Sequence, residues 1–318
     1  MKKNYLDIID PIHDFIRVYD YELPIIDSPL FQRLRRIKQL SGAHLTYPSA
    51  QHSRFEHSLG VMHIATEAGF ALNEKGYLNS DDVQILRLAG LLHDIGHGPF
   101  SHLFEEVIQE KKISHEDYGK KIILNSEIGD ILSKTGFNKK LVTQIAFGES
   151  KFQYLNEIVS GALSADMMDY LLRDGYFTGA EHAKVDHKRI TQSLSIHKKK
   201  IALERSALYS FESMMHSRYQ MFKAVYFHKT VRAAEVMLIQ ALRLSDEEFG
   251  FTSFNLNEYV KLTDEFVLSS IISSKSSKLK QARQLAEDYQ NRKLLKCVFE
   301  RILTSQTNLK KTRTDELR

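Results

Sequence analysis

Apolar residues recur at helical spacing along most of the chain. Between residues 81 and 92 the apolar positions include Val83, Leu86 and Ala89, and the stretch ends at Leu91-Leu92. This spacing places apolar side chains on one face of an α-helix, where they can pack against a core. The same pattern predicts further helices over 53–73, 101–111, 115–125, 155–174 and 206–244, with two more within 255–305.

Two segments depart from the helical pattern. Residues 5–27 are predicted to be extended, with prolines at positions 11 and 24 as breaks. Ser28 and Pro29 then predict a helix start, because a capping side chain precedes a proline at the first helical position. Helical spacing continues from Leu30 to Leu40. Residues 195–204 are predicted to form a short hairpin.

Composition agrees with an all-α fold. Glycine and proline number only 15 and 5 in 318 residues, so helix breakers are scarce. The single cysteine, Cys297, excludes an intrachain disulfide and a four-cysteine zinc site. No apolar run approaches the ~18 residues of a membrane span, and the N-terminus lacks a signal-peptide core. We therefore expect a soluble, cytoplasmic protein without a membrane partner.

Charge is uneven along the chain, whose formal net charge is +4. Residues 275–318 hold twelve lysines and arginines against five acidic residues. A solvated helix face followed by a disordered tail from Lys310 is the favoured interpretation, and contact with a polyanion is the alternative. Aromatic residues do not interleave with these cations as they do in stacking platforms, so a nucleic-acid partner is disfavoured.

Candidate chemistry concentrates in one segment, from His93 to His102. His93 and Asp94 end an apolar helix and precede a glycine-rich break, where polar groups would be partly buried and need partners. A metal ion is one such partner, and imidazole with carboxylate suits Mn, Fe, Co, Ni or Zn. Two regions offer further ligands, one around His57 and one around Asp166, which stands in an otherwise apolar helix.

These segments resemble a known family, the HD-domain metal-dependent phosphohydrolases, and within it the deoxynucleoside triphosphate triphosphohydrolases. The resemblance covers about residues 7–244. It rests on five motifs that follow one another in the same order as in the family. The motifs are Asp10-Pro11-Ile12-His13, Phe31-Gln32-Arg33-Leu34-Arg35, Ile37-Lys38-Gln39-Leu40, Arg54-Phe55-Glu56-His57-Ser58-Leu59-Gly60, and the decapeptide from His93 to His102. Because the chain starts at the leader of the HD region, we expect no SAM domain.

The resemblance implies an HD-domain helical fold with a small C-terminal helical lobe. It divides the chain into a leader and first helix (1–45), a metal-dependent phosphohydrolase core (46–245), and a C-terminal lobe with a basic tail (246–318). It implies one divalent metal, with Mg also a candidate, held by His57, His93, Asp94 and Asp166. The implied reaction is hydrolysis of dNTPs, with a dGTP-type preference, to a deoxynucleoside and inorganic triphosphate.

The resemblance also assigns roles to other side chains. His115 is the implied acid for the leaving 5′-oxygen, Glu105 orients it, and His97 and His102 line the α-phosphate. The implied substrate contacts are Arg54, Tyr170, Arg218 and Lys229 at phosphate, Gln39, Leu40 and Tyr226 at the sugar, and Asp174 at the 3′-hydroxyl. Helical spacing independently predicts that Arg218, Tyr226 and Lys229 share one helix face.

Regulation and assembly are implied at the leader. Asp27 and Arg35 match guanine-reading positions of an allosteric site, so we expect activation by dGTP or GTP and a homo-oligomer, either a dimer or a tetramer. One departure from the family is Met167, which stands where a relative has a phosphate-contacting lysine.

Two alternatives stay open. The chain could be another HD phosphohydrolase or phosphodiesterase acting on nucleotides or nucleic acid, or a non-enzymatic nucleotide-binding regulator. Arg54, Arg218 and Lys229 favour a triphosphate, and the sequence has no Gly-Tyr-Pro motif of cyclic-dinucleotide enzymes. The complete set of metal ligands, together with His115, favours an enzyme.

Overall fold

The computed structural model describes residues 4–108 and 113–298. The described chain is mostly helical, with two short antiparallel hairpins, and this confirms the predicted all-α class. The first hairpin joins β1 (Tyr5–Asp10) to β2 (Asp14–Tyr19), and the second joins β3 (Leu194–His197) to β4 (Lys200–Leu203). No helix in the described part of the chain is both long and apolar enough to cross a membrane.

The α-helices of the described chain follow one another in this order. They are α1 (Leu23–Ile26), α2 (Pro29–Gln32), α3 (Arg54–Glu74), α4 (Ser80–Leu92), α5 (His102–Ile108), α6 (His115–Asn125), α7 (Glu127–Lys134), α8 (Lys139–Ala146), α9 (Gln153–Ser160), α10 (Ala165–Thr178), α11 (His187–Gln192), α12 (Leu208–Met221), α13 (Lys229–Phe249), α14 (Leu256–Tyr259), α15 (Asp264–Ser273) and α16 (Lys280–Gln290). Short 3₁₀ segments and one π-helical turn connect several of them.

Buried apolar side chains of the described chain form two main clusters, and helix α3 is at the centre of the larger one. It packs against α4, α10 and α11, and most of its residues are buried on every side. Ser53 caps its first turn by accepting from the backbone N–H of Phe55, while the Glu56 side chain accepts from the backbone N–H of Ser53. Gly60 lies where α3 meets α10, and a Cβ atom there would lie 1.8 Å from Asp169 Oδ1. Glycine therefore lets a buried carboxylate approach this helix closely.

A second apolar cluster joins the C-terminal helices to the rest of the molecule. Residues of α13, α15 and α16 pack there with residues of α5. Polar contacts from this side hold the segment between α4 and α5. Tyr259 Oη donates to Gly96 O at 2.8 Å, and Asp264 accepts from the backbone N–H of Phe100 at 2.7 Å. Asp264 also accepts from the backbone N–H of Lys38, before α3, at 2.9 Å. Phe100 and Ser101 both have positive φ, at 57° and 54°, a conformation that non-glycine residues adopt at a cost.

Several predicted elements are confirmed, and others are interrupted. The predicted helices over 53–73, 81–92 and 115–125 are α3, α4 and α6, and the hairpin over 195–204 is β3–β4. The predicted helix over 155–174 is two helices, separated at Gly161 and restarted by the Ser164 cap. Two further helices, α7 and α8, occupy a region for which the apolar pattern predicted none. Part of the predicted 101–111 helix, and the tail from Lys310, lie outside the described residues.

The N-terminal prediction was wrong at two points. Residues 23–26 form α1 instead of extended chain, and the helix predicted from Pro29 to Leu40 ends at Gln32 before a 3₁₀ turn over 33–36. Ile37 is extended, and its carbonyl accepts the backbone N–H of Arg54 at 3.0 Å. Pairing with the start of α3 therefore overrides the local helical spacing.

The predicted helix over 206–244 was also wrong as one element. A π-helical turn at Phe222–Tyr226 follows α12, and His228 then caps α13 by accepting from the backbone N–H of Thr230. Because the helix is interrupted, the shared face predicted for Arg218, Tyr226 and Lys229 does not exist as one continuous stripe.

Candidate active site

Three side chains from three helices converge at one place, where His57 and His93 are buried and Asp166 is partly exposed. His57 Nε2, His93 Nε2 and a carboxylate oxygen of Asp166 are donor atoms that all lie within 4.8 Å of one another. His57 comes from the first turn of α3, His93 ends α4, and Asp166 lies in the first turn of α10. Two imidazoles and a carboxylate are a suitable ligand set for a divalent transition metal.

The two imidazoles are held so that Nε2 of each faces the cluster. His57 Nδ1 lies 2.8 Å from Asp169 Oδ2, and His93 Nδ1 lies 2.8 Å from the Gly90 carbonyl. Both acceptors require a proton on Nδ1, so in the neutral form of each ring Nε2 carries the lone pair that a metal ion binds. Buried His93 Nε2 has no hydrogen-bond partner among the described residues. The donor set thus has the orientation that metal ligation needs.

Asp94 completes the cluster as a carboxylate fixed in its ionised form. Its Oδ2 is 3.7 Å from His57 Nε2, and its Oδ1 is 3.3 Å from both His93 Nε2 and His97 Nε2. Arg54 Nη1 donates to Asp94, and Arg54 Nε donates to Ser101 Oγ at 2.7 Å. Burial acts to raise the pKa of Asp94, but the charges of Arg54, His93 and His97 hold it well below its usual range.

The carboxylates also change the titration of His57. Burial alone would lower its pKa, but the hydrogen bonds to Asp166 and Asp169 outweigh burial and raise the pKa of His57 to about 10. The cluster therefore stabilises positive charge at its centre, whether a proton or a metal ion supplies it.

A second pair, Glu105 and His115, lies beside the cluster. His115 Nδ1 is 2.8 Å from Glu105 Oε1, and the His115 ring stacks on His97 with centroids 3.9 Å apart. Burial would raise the pKa of Glu105, but His102 and His115 lower it well below its usual range. An ionised carboxylate only accepts hydrogen bonds, so His115 donates through Nδ1 and keeps Nε2 for another partner. His102, whose side chain is 71% exposed, contacts Glu105 at 3.3 Å.

A cavity of about 370 Å³ adjoins the cluster, with Arg54 in its wall. Seven residues that the sequence assigned to the site line it: Gln39, Leu40, Arg54, His102, Tyr170, Asp174 and Tyr226. The sequence analysis missed seven further lining residues: Ser41, Ser101, Leu103, Phe222, Phe227, Arg232 and Glu235. The volume of this cavity is within the range of small-molecule binding sites.

Polar contacts fix the wall of the cavity. Tyr226 Oη donates to Asp174 Oδ2 at 2.7 Å, and His52 Nε2 lies 2.8 Å from Asp174 Oδ1. Burial, followed by the charge of Asp174, raises the pKa of Tyr226 well above its usual value, so its hydroxyl stays protonated. Arg218 lies beside Tyr170, and Arg218 Nε has no hydrogen-bond partner among the described residues.

Other predicted residues lie elsewhere. Lys229 is exposed at the start of α13 and is not part of the cavity wall. Asp27 is exposed before α2, and the Arg35 guanidinium lies over the Phe55 ring at 3.5 Å. The described chain places none of these three side chains in the cavity wall, and the separate site assigned to Asp27 and Arg35 stays a prediction. Met167 is half-buried against the apolar core.

A buried network behind His57 was missed by the sequence analysis. Asp169 accepts from Arg173 Nε at 2.9 Å and from Nη2 at 3.0 Å, and its Oδ1 is 2.7 Å from His13 Nε2. Arg173 also donates to Asp10 at 2.9 Å. The available signal was the spacing of Asp169 and Arg173, an acid and a base four residues apart on α10, but this spacing does not distinguish a buried pair from a solvent-facing one. These residues orient His57 from behind.

Comparison with known families divides the chain into two matched segments. Residues 54–174 match the HD domain, and residues 185–317 match an HD-associated region. The first segment contains all four cluster residues and the Glu105–His115 pair.

Similarity to individual proteins extends over most of the chain. A solved phosphohydrolase from Bacteroides thetaiotaomicron is 30% identical with a TM-score of 0.81, covering 92% of this chain and 78% of its own. A solved hypothetical protein from Aquifex aeolicus is 37% identical with a TM-score of 0.80, covering 91% of this chain and 76% of its own. Human deoxynucleoside triphosphate triphosphohydrolase SAMHD1 is 30% identical over 96% of this chain and 56% of its own.

The chain spans about half to two thirds of the length of the curated relatives it matches, from 49% to 64%. Together with the His57–His93–Asp166 cluster, these matches establish that the chain belongs to the HD-domain phosphohydrolases.

Proposed function

We propose that this protein hydrolyses deoxynucleoside triphosphates, with a dGTP-type preference, to a deoxynucleoside and inorganic triphosphate. The observation that carries the proposal is the position of Arg54. It donates to Asp94 of the candidate metal cluster and also lines the adjoining cavity, so one guanidinium joins a metal centre to a nucleotide-sized pocket. The similarity to SAMHD1 supports the same substrate class.

His57, His93, Asp94 and Asp166 would hold the divalent metal. When bound, a dication there polarises a phosphate oxygen and lowers the pKa of a water molecule, which makes hydroxide available near neutral pH. Mn, Fe, Mg, Co, Ni and Zn are all compatible with imidazole and carboxylate donors in this number.

His115 would supply the proton that the leaving 5′-oxygen requires. Glu105 fixes its Nδ1–H and stays ionised beside it. An anion at this distance stabilises the protonated imidazole, whose Nε2–H can then pass its proton to the leaving alkoxide. His97 stacks on His115, and His102 lines the cavity. With His115, these two imidazoles would surround the reacting phosphate.

Sugar selection would come from a rigid wall. Asp174 accepts from Tyr226 and is fixed from the other side by His52, so neither cavity residue is free to withdraw. Gln39 and Leu40 line the same cavity. We expect this wall to accept a 3′-hydroxyl at Asp174 and to leave no room for a 2′-hydroxyl.

The proposed preference for guanine is supported by Arg232 and Glu235. These two side chains pair with each other and line the cavity. A guanine edge offers N–H donors to a carboxylate and the O6 and N7 acceptors to a guanidinium. Adenine presents a donor where guanine has O6, so the same pair fits it less well.

The proposal extends to assembly. Asp27 and Arg35 would read an activating dGTP or GTP at an interface between copies of this chain, giving a dimer or a tetramer. Arg218, beside Tyr170, and Lys229 would approach the triphosphate from α12 and α13.

Product analysis tests the proposal most directly. Each dNTP and NTP is incubated with the protein and Mn²⁺ or Mg²⁺, and the products are separated by ion exchange. Inorganic triphosphate with a deoxynucleoside is the expected pair, and dGTP the fastest substrate. His93→Ala should abolish turnover, while His182→Ala, at an exposed position, should not. Pyrophosphate with a monophosphate, or no reaction with any nucleotide, would refute the proposed reaction.

Glu235→Gln tests the base preference separately. This change removes an acceptor and adds a donor, so the ratio of dGTP to dATP turnover should fall by about 10-fold or more, the worth of one hydrogen-bonded contact. An unchanged ratio would remove Glu235 from base recognition and leave the reaction class untouched.

A further inference from the structure

Gly96 brings the loop between α4 and α5 very close to the first turn of α6. A Cβ atom added at Gly96 would lie 2.1 Å from the backbone oxygen of His115, 2.3 Å from the backbone nitrogen of Gly119 and 2.7 Å from its Cα. Non-bonded carbon, nitrogen and oxygen atoms stay about 3 Å or more apart, so a larger residue does not fit. The backbone of Gly96 does not have a positive φ. Glycine is therefore required here by the close approach and not by the backbone conformation.

Two aromatic residues hold α6 in this position. Tyr259, buried at the end of α14, donates its hydroxyl to the Gly96 carbonyl at 2.8 Å, and its ring stacks on Tyr118 of α6 with centroids 3.5 Å apart. Phe147, at the end of α8, packs against Gly119, where an added Cβ atom would lie 2.3 Å from the ring. Tyr259 thus contacts both the loop and the helix, and Phe147 supports the helix at the same turn.

The two segments that meet at Gly96 carry the two parts of the proposed reaction. His93 and Asp94 of the candidate metal cluster lie three and two residues before Gly96, and His115 begins α6. His97, next to Gly96, stacks on His115 with ring centroids 3.9 Å apart. The position of His115 relative to the metal cluster therefore depends on how closely α6 approaches the loop.

We propose that Gly96 is a positioning residue for proton transfer by His115, a role that rests on the hydrolysis proposed above. In that reaction a water oxygen bonds to the α-phosphorus while the bond from this phosphorus to the 5′-oxygen breaks. The leaving oxygen takes a proton from His115 Nε2, and the water releases a proton to solvent, from which His115 is protonated again. A displacement of His115 lengthens the path of the proton, whereas the attack on phosphorus does not use His115.

Gly96→Ala should move His115 away from the cluster. Relieving the overlap with the His115 carbonyl requires a shift of about 1 Å, and a misplacement of that size can lower a rate by roughly 10²-fold. The kcat for dGTP should therefore fall by roughly 10²-fold. KM and the Mn²⁺ affinity should stay within about threefold of the values for the unmodified protein, because the interactions that bind substrate and metal are kept.

Gly129→Ala is the matched control, because it creates a similar overlap at the other end of α6. Its added Cβ would lie 2.4 Å from the Ile123 carbonyl, and Ile123 is eight residues beyond His115, about 12 Å along the helix. Both variants should lose stability in urea unfolding, but Gly129→Ala should keep kcat within about threefold. An equal loss of kcat in the two variants would overturn the proposal, since a general loss of stability would then explain both.

The leaving group separates proton transfer from the other steps. In a dGTP analogue with sulfur in place of the 5′-oxygen, the departing group is a thiolate, whose conjugate acid has a pKa of roughly 8.5, and it needs no proton from the protein. Gly96→Ala should turn over this analogue within about fivefold of the unmodified protein. An equal loss with dGTP and with the thio analogue would overturn the proposal, because water attack or metal binding would then be impaired instead.

Tyr259→Phe is a milder change that keeps the test valid if Gly96→Ala does not fold. It removes the hydroxyl that binds the Gly96 carbonyl and keeps the ring that stacks on Tyr118. The loop is then less firmly held against α6, so kcat for dGTP should fall by roughly tenfold, again with little change for the thio analogue. An unchanged ratio of dGTP to thio-analogue turnover in this variant would contradict the proposal.

A distance measurement tests the position of His115 without any nucleotide. Bound Mn²⁺ accelerates the nuclear relaxation of nearby side chains with the inverse sixth power of the distance. The protein is prepared with isotope-labelled histidine, and His115→Ala identifies the His115 signal. Gly96→Ala should lower the Mn²⁺-induced relaxation of His115, and Gly129→Ala should not. Unchanged relaxation in Gly96→Ala would overturn the proposal. Absence of nucleotide hydrolysis by the unmodified protein would refute the proposed function, and the relaxation measurement would still decide whether Gly96 positions His115.

Discussion

Position 60 on α3 has no room for a side chain. Replacing Gly60 by alanine would displace the buried carboxylate of Asp169, so this change measures what that carboxylate contributes to stability and to metal affinity. An added Cβ would lie 1.8 Å from Asp169 Oδ1, 2.5 Å from its Cγ and 2.6 Å from Arg173 Nη2. Carbon and oxygen atoms in contact normally stay more than 3 Å apart, so the carboxyl group must move by about 1.5 Å. Asp169 cannot make that movement and keep its contacts to His13, His57 and Arg173.

The expected cost follows from those contacts. Each hydrogen bond to a charged group contributes roughly 1.5–3 kcal/mol, and about two of them are lost. Replacing glycine by alanine within a helix returns about 1 kcal/mol. Gly60→Ala should therefore lower the free energy of unfolding by roughly 2–5 kcal/mol. His57 also loses its orienting partner, so affinity for Mn²⁺ should fall by roughly 10–100-fold.

Gly69→Ala is the matched control on the same helix. Its added Cβ would meet only Val83 and Leu86 side chains, at 3.2 Å and beyond, and stability should change by no more than about 1 kcal/mol. Urea unfolding followed by circular dichroism gives the stabilities, and calorimetry gives the Mn²⁺ affinities. If Gly60→Ala is as stable as Gly69→Ala and binds Mn²⁺ as tightly as the unmodified protein, the role assigned to Asp169 is wrong.

Three further predictions concern proton transfer, sugar selection and pH. His115→Ala should lower kcat by roughly 10²–10⁴-fold with metal content unchanged, measured by steady-state kinetics and metal analysis; unchanged kcat with a raised KM would make His115 a binding residue. Tyr226→Ala should raise KM for dGTP and increase the relative turnover of GTP, because the wall beside Asp174 is lost; equal use of GTP and dGTP by the unmodified protein would show that no such selection exists. Burial raises the pKa of Asp264 to about 6, so the native state binds a proton between pH 7 and pH 5 that the unfolded chain does not. The unmodified protein should thus gain roughly 1 kcal/mol relative to Asp264→Asn on going from pH 7 to pH 5, and a stability difference independent of pH would contradict this.

The local pattern drew attention to the segments around His57, His93 and Asp166, and the family resemblance singled out these residues as ligands. His57, His93 and Asp166 lie at helix ends that caps and glycine breaks mark in the sequence, and the structure brings these ends together. Asp169 could not be recognised in this way, because its role depends on the crossing of α3 and α10 at Gly60. A buried acid and a solvent-facing acid look alike in a single sequence.

The prediction failed where tertiary contacts override local preference. Ile37 has the spacing of a helical residue, yet its carbonyl pairs with the backbone of Arg54 and the chain there is extended. Around Phe222 the periodicity continues without a proline or glycine, so nothing local signals the π-helical turn. Arg232 and Glu235 line the cavity from α13, which begins at Lys229 after that turn.

Besides the side-chain contacts of Asp94 and Ser101 with Arg54, several contacts hold the backbone of the loop between α4 and α5. Tyr259 binds the carbonyl of Gly96, Arg33 binds the carbonyls of Ile95 and His97, and Asp264 binds the N–H of Phe100. Contacts to main-chain atoms do not depend on which side chains the loop carries between them. The loop can therefore exchange its imidazoles for other groups over evolutionary time, or under a protein engineer, while its path through the molecule is kept by residues that take no part in the chemistry.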